Sequence, residues 1–143
     1  MENNLLSVYL AAPFAAWLVA QLLKVAIAAA SGSRRSDLSL FFKSGSMPSS
    51  HSAMMIALLV AIGARDGIDT ALFGVVAVLS VIVMYDAVNV RRAVGEQGIV
   101  LRKLVASAAQ KPAFYMAKGH LISEVVAGAL VGSAVSVLML QFL

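Results

Sequence analysis

Four apolar stretches, each long enough or nearly long enough to cross a lipid bilayer, set the terms for any fold of this chain. Crossing a hydrocarbon core takes roughly 20 apolar residues as a helix, because every backbone N–H and C=O must find its partner within the segment. The first stretch runs from about Leu5 to Ala30 with Lys24 as its one charge, and the second from about Pro48 to Ala64 with none. The third runs from about Thr70 to Val90 with Asp86 near its end, and the fourth from about Gly119 to Leu143 with Glu124 near its start. With 61% of the 143 residues hydrophobic and 13% charged, no soluble core could hide the apolar surface. The expected fold is an all-α integral membrane protein, one domain over residues 1–143, with about four transmembrane helices. The first run has no basic segment before it and is too long for a signal-peptide core, so it is read as a retained helix. The absence of cysteine excludes disulfides, thiolate metal sites and thiol catalysis.

The connections differ in charge. Residues 31–47 carry Arg34, Arg35 and Lys43 against Asp37, and the turn around residues 65–69 carries Arg65 against Asp66 and Asp69. The segment from Arg91 to Lys118 is strongly basic, and stays so when Arg91 and Arg92 are set aside. Basic connections stay in the cytoplasm, which puts the first and third there and both termini opposite. Within the third, Ile99 to Ala109 mixes apolar and basic residues ahead of Pro112, the pattern of a short helix lying in the interface. In the last stretch Gly128 and Gly132 form a small-xxx-small pair that would let another helix approach closely, either within the chain or from a second copy.

Ionisable groups inside a bilayer are costly and face a bundle interior or an aqueous cavity. Lys24 ends the first helix, His51 begins the second, Asp86 to Arg92 end the third, and His120 with Glu124 begin the fourth. In an antiparallel bundle those four ends meet at one membrane face. Lys24 by itself also fits a lysine snorkelling to the interface.

Gly45-Ser46-Met47-Pro48-Ser49-Ser50-His51-Ser52 is suited to a helix start, where free N–H groups and the positive dipole end attract anions and the hydroxyls of Ser49 and Ser50 add donors. An ordinary Ser/Pro cap reads the same way. His120 and Glu124, four apart, share one helical face, so the carboxylate can hold one ring nitrogen and leave the other to attack or bind. The bland alternative is a capping histidine in an interhelical hydrogen bond. They and His51 gain weight together, because the chain's two histidines open helices at the same face. At the end of the third helix, Tyr85, Asn89, Arg92 and Glu96 follow helical spacing, which ranks Arg92 above Arg91 as a site residue. Asp86 lies off that stripe, suited to an ion pair with a cation or to a metal.

These residues resemble the type 2 phosphatidic acid phosphatase superfamily, in the divergent branch related to acid phosphatases and vanadium-dependent haloperoxidases. The resemblance covers nearly the whole chain and rests on GSMPSSHSA (Gly45 to Ala53), MYDAVNVRRAVGEQ (Met84 to Gln97) and GHLISEVVAGALVG (Gly119 to Gly132). Better-known members carry Lys-x6-Arg-Pro, Pro-Ser-Gly-His and Ser-Arg-x5-His-x3-Asp. Here Ser31 and Gly32 follow Lys24 at the Arg-Pro positions, leaving Arg34 or Arg35 to serve, and Ser50 replaces the glycine. Glu124 replaces the aspartate, and Ala113 and Phe114 stand at the Ser-Arg positions, leaving the cation to Arg91 or Arg92.

The resemblance implies a reduced form of that superfamily's helical core acting on a lipid phosphomonoester or diphosphate. It implies that His120 attacks phosphorus, Glu124 orients it and His51 protonates the leaving alcohol. Lys24, Arg34 or Arg35, Arg91 or Arg92 and the amides near Ser49 and Ser50 would hold the phosphoryl oxygens, with Asp86, Asn89 and Glu96 in support. No metal, cofactor or nucleic-acid partner is expected. Two alternatives stay open: a metal-assisted hydrolase built on Asp86, Glu96, Glu124 and a histidine, and a non-catalytic phosphate-lipid binder or translocator. Having fewer helices than the six of better-known relatives suggests a homodimer. The expected location is the cell (inner) membrane with the site facing the cytoplasm.

Overall fold

The computed structural model describes residues 5–31, 46–105 and 119–142. They form five helices in the order α1 (Leu5–Ala30), α2 (Ser50–Arg65), α3 (Ala71–Val88), α4 (Val90–Leu104) and α5 (Ile122–Phe142). Three spans are long and apolar enough to cross a membrane, Val8–Ala30, Ala71–Leu104 and Ile122–Phe142, and α2 is a shorter apolar helix. The molecule is an all-helical membrane bundle, as the apolar runs require.

The centre of the bundle is α2, which packs against α1, α3 and α5. Small residues make those approaches close. Ala12, Ala16 and Ala20 line one face of α1 at four-residue spacing, Ala53, Ala57 and Ala61 line α2, and all six are wholly buried. Ala16, Ala20, Ala53 and Ala57 form the core cluster, flanked by Val131 and Val135 of α5. Inside a bilayer lipid tails are as apolar as leucine, so helices associate through close backbone contact rather than burial of bulk.

The Gly128 and Gly132 pair meets its partner within the chain. A Cβ at Gly128 would strike the Ser49 carbonyl oxygen, and one at Gly132 the Ala53 carbonyl oxygen. One turn further, the buried Ser136 hydroxyl donates to the Ala57 carbonyl at 2.9 Å. The rising pairs 128 on 49, 132 on 53 and 136 on 57 show that α2 and α5 run parallel, so their N-termini lie at the same face.

Local capping sets the helix ends. Ser49 caps α2, its hydroxyl accepting from the Ser52 N–H, and Thr70 caps α3, accepting from the Phe73 N–H. Between them Gly67 sits at φ +98°, a left-handed conformation that a side chain would strain. Across this turn the Tyr9 hydroxyl donates to Asp66 at 2.7 Å, tying the start of α1 to the end of α2.

Helix α4 begins at Val90, well ahead of the interfacial helix expected from Ile99. Only Asn89 separates it from α3, since nothing before Pro112 forbids helix. Residues 106–109, the end of that expectation, lie outside the described residues.

Candidate functional site

Four helix ends meet at one face, and hydrogen bonds between elements fix them there. The Ser49 N–H donates to the Glu124 carbonyl at 2.9 Å, joining the start of α2 to that of α5. The His120 N–H donates to the Ala87 carbonyl at 2.9 Å, joining the approach to α5 to the end of α3. Lys24 Nζ donates to the Ser50 hydroxyl at 3.1 Å, joining α1 to α2. Gly119 admits this crossing, because a Cβ there would collide with the backbone of Arg92.

His120 stands two residues ahead of α5 and is buried, with 4% of its surface exposed. Its Nδ1 lies 2.8 Å from Glu124 Oε2, which also accepts the Leu121 N–H at 3.1 Å. An ionised carboxylate only accepts, so Nδ1 carries the proton and the lone pair of the neutral ring sits on Nε2. His120 is therefore held in one tautomer and orientation by a carboxylate that is itself fixed by a backbone amide.

Lys24 is buried, which excludes the snorkelling alternative. Helix α1 runs on through Val25–Ala30, about 9 Å past it. The ammonium is thus recessed below the end of the helix, with the Ser50 hydroxyl as its acceptor among the described residues and Glu124 as the charge opposing it. A desolvated ammonium with N–H donors to spare is a strong seat for an anion.

The three serines around the start of α2 have different tasks. Ser49 is wholly buried, and its oxygen accepts from the Ser52 hydroxyl at 2.9 Å and the Ser52 N–H at 3.4 Å. It is committed to capping the helix rather than to a ligand. Ser50 bears the Lys24 contact. His51 is exposed, so it opens from the bundle instead of filling it, with Arg91, Lys24, His120 and Asp86 near enough to act on it electrostatically.

Each of the two arginines is held by a carboxylate: Arg91 Nε pairs with Asp86 Oδ2 at 2.6 Å, half-exposed and near enough to His51 to act on it electrostatically, and exposed Arg92 pairs with Glu96 at 3.1 Å. The wheel that ranked Arg92 first assumed one uninterrupted helix. Asn89, at φ −104° and ψ −66°, separates α3 from α4, and Asp86 and Arg91, five apart on either side of it, are in contact. The Asn89 side chain donates to the Tyr85 carbonyl at 3.2 Å, serving the junction and not the site. Glu96 is turned to Arg92. Arg34 and Arg35 lie outside the described residues.

The site so built comprises Lys24, Ser50, His51, Arg91, His120 and Glu124, supported by Ser49 and Asp86. The carboxylates of the metal alternative do not converge, since Asp86, Glu96 and Glu124 each face a different partner. Among the described residues no group of three or more potential ligands forms.

Among known proteins, the "Uncharacterized membrane protein YuiD" of Bacillus subtilis is 47% identical over 91 residues, covering 64% of this chain and 57% of that protein. The chain thus matches a little over half the length of that relative. No solved structure matches it. The model of a family described as the divergent PAP2 family matches residues 5–135, an interval that holds every residue of the site, and the chain belongs to that family.

Proposed function

We propose that this protein is a membrane lipid-phosphate phosphatase that hydrolyses a lipid phosphomonoester or diphosphate through a phosphohistidine. The observation that carries the proposal is the buried His120–Glu124 pair set beside a recessed ammonium at the start of α2.

The positions of His120, Glu124 and Lys24 support the following chemistry. His120 Nε2 attacks phosphorus, an N–P bond forms, and the P–O bond to the lipid alcohol (or phosphate) breaks. His51, exposed at the start of α2, delivers the proton to the departing oxygen. It then takes a proton from the water that cleaves the N–P bond, releasing phosphate and restoring the free histidine. Glu124 stabilises the cationic ring, the role of the carboxylate in any carboxylate–histidine pair.

Phosphoryl transfer gains most from fixed positive charge around oxygens that stay anionic throughout. Lys24 and Arg91 supply that charge, with the Ser50 hydroxyl and the N–H groups of Ser50 and His51 at the start of α2. Seated below the end of α1, the site suits a phosphate whose tail stays in the bilayer. The basic segments support a cytoplasmic orientation for this face, in a protein of the cell membrane.

The test is phosphate release by purified protein in detergent from phosphatidic acid, phosphatidylglycerophosphate and polyprenyl phosphates, with His120→Ala as control. Release from at least one lipid, abolished in the variant, supports the proposal. Intact lipid-phosphate binding without release from any lipid would make the protein a binder or translocator.

A further inference from the structure

No residue of α4 is buried. Val90, Val94, Val100, Leu101 and Leu104 are between 49% and 71% exposed, and at 100° per residue they fall within one third of the helix circumference. Basic side chains flank that row on both sides, Arg91 and Arg102 on one and Arg92 and Lys103 on the other. Their surroundings differ along the helix. At its start Arg91 and Arg92 are neutralised by Asp86 and Glu96. In the last turn Arg102 and Lys103 are exposed, and among the described residues neither forms an ion pair.

We propose that α4 is a membrane-surface element that docks on anionic lipid headgroups through Arg102 and Lys103, with its apolar row set in the acyl boundary. A bilayer surface fits better than a second copy of the chain, because it satisfies both halves of the pattern. Acyl chains cover the apolar row, and anionic headgroups meet cations that have no partner in the described structure. From Val90 to Leu104 the helix spans about 22 Å. It thus separates the lipid-docking cations at one end from the Arg91–Asp86 pair at the other. This inference does not depend on the phosphatase proposal, and its test needs no turnover.

The absence of cysteine permits single-site labelling. An environment-sensitive fluorophore at Leu101→Cys should report an apolar setting in nanodiscs and be quenched by brominated lipid, while one at Glu96→Cys should report water. Native mass spectrometry would compare phosphatidylglycerol with phosphatidylcholine retained at equal supply. At about fivefold per basic side chain near an anionic surface, Arg102→Gln with Lys103→Gln should lower the preference by about 25-fold. Arg65→Gln, at the opposite face, should leave it unchanged. Equal lipid preference in the protein and the double variant would overturn the proposal. So would an aqueous Leu101 label, or efficient crosslinking between copies at Leu101→Cys.

Discussion

Replacing Gly132 by alanine should destabilise the bundle, whereas the same replacement at Gly74 should stabilise it. Both glycines are inside helices, where alanine is intrinsically favoured by up to about 1 kcal/mol, so intrinsic propensity favours both changes. The surroundings decide the sign. A Cβ at Gly74 meets nothing within 4 Å, and Gly74→Ala should gain a few tenths to about 1 kcal/mol. A Cβ at Gly132 runs into the carbonyl, carbonyl carbon and Cα of Ala53, all backbone and none able to swing aside. The helices must separate there, and overpacking of that kind costs about 1–3 kcal/mol. Because all three atoms are backbone, the cost falls in the upper part of that range, and less the propensity gain Gly132→Ala should lose about 1–2 kcal/mol. Gly128→Ala should lose a similar amount and also disturb the site, because the carbonyl it strikes belongs to Ser49, whose N–H holds Glu124. Reversible unfolding in mixed detergent, or thermal unfolding in one detergent, would read the three variants. A neutral Gly132→Ala, or a Gly74→Ala as damaging as Gly132→Ala, would refute the packing argument.

Glu124→Gln keeps the shape of the side chain but not the charge that orients and stabilises His120, and should lower kcat by on the order of 10²–10⁴-fold with little change in lipid-phosphate affinity; stopped assays of phosphate release would check it. Lys24→Met removes a buried ammonium and should leave unfolding unchanged or raise its midpoint. The same variant should weaken inorganic phosphate binding by about tenfold or more, read by calorimetry. Asp86→Asn and Arg91→Ala should each raise KM, and the double variant should be no worse than Arg91→Ala, because Asp86 acts through the guanidinium it holds. The half-exposed pair contributes under about 1 kcal/mol to stability, so unfolding midpoints should barely move.

The helices were legible in the sequence because hydrocarbon thickness imposes their length and the apolar runs record it. The helix starts at Ser50 and Ala71 fall close to those read from the apolar runs, with Ser49 and Thr70 as recognisable caps. The meeting of Lys24, His51 and His120 at one face followed from topology alone. The burial of Lys24 did not, because it depends on which residue of α2 lies opposite, and sequence periodicity is silent on that. The alanine seam of Ala12, Ala16 and Ala20 against Ala53, Ala57 and Ala61 went unread although its four-residue spacing was a usable signal. The pairing of Arg91 with Asp86 was not legible, because the two residues are five apart across Asn89, where the helix is interrupted, and a wheel drawn through residues 85–96 assumes no interruption.

The central claim is that His120 becomes covalently phosphorylated. The direct measurement is rapid acid-free quenching of purified protein after mixing with a lipid bearing radiolabelled phosphate, followed by peptide mapping. The account requires a transient adduct, labile to acid and stable to base, on the peptide containing His120. It should be absent in His120→Ala, and longer-lived in His51→Gln given a substrate whose leaving group needs no protonation. Phosphate release with no adduct at His120, or an adduct on another residue, would contradict it.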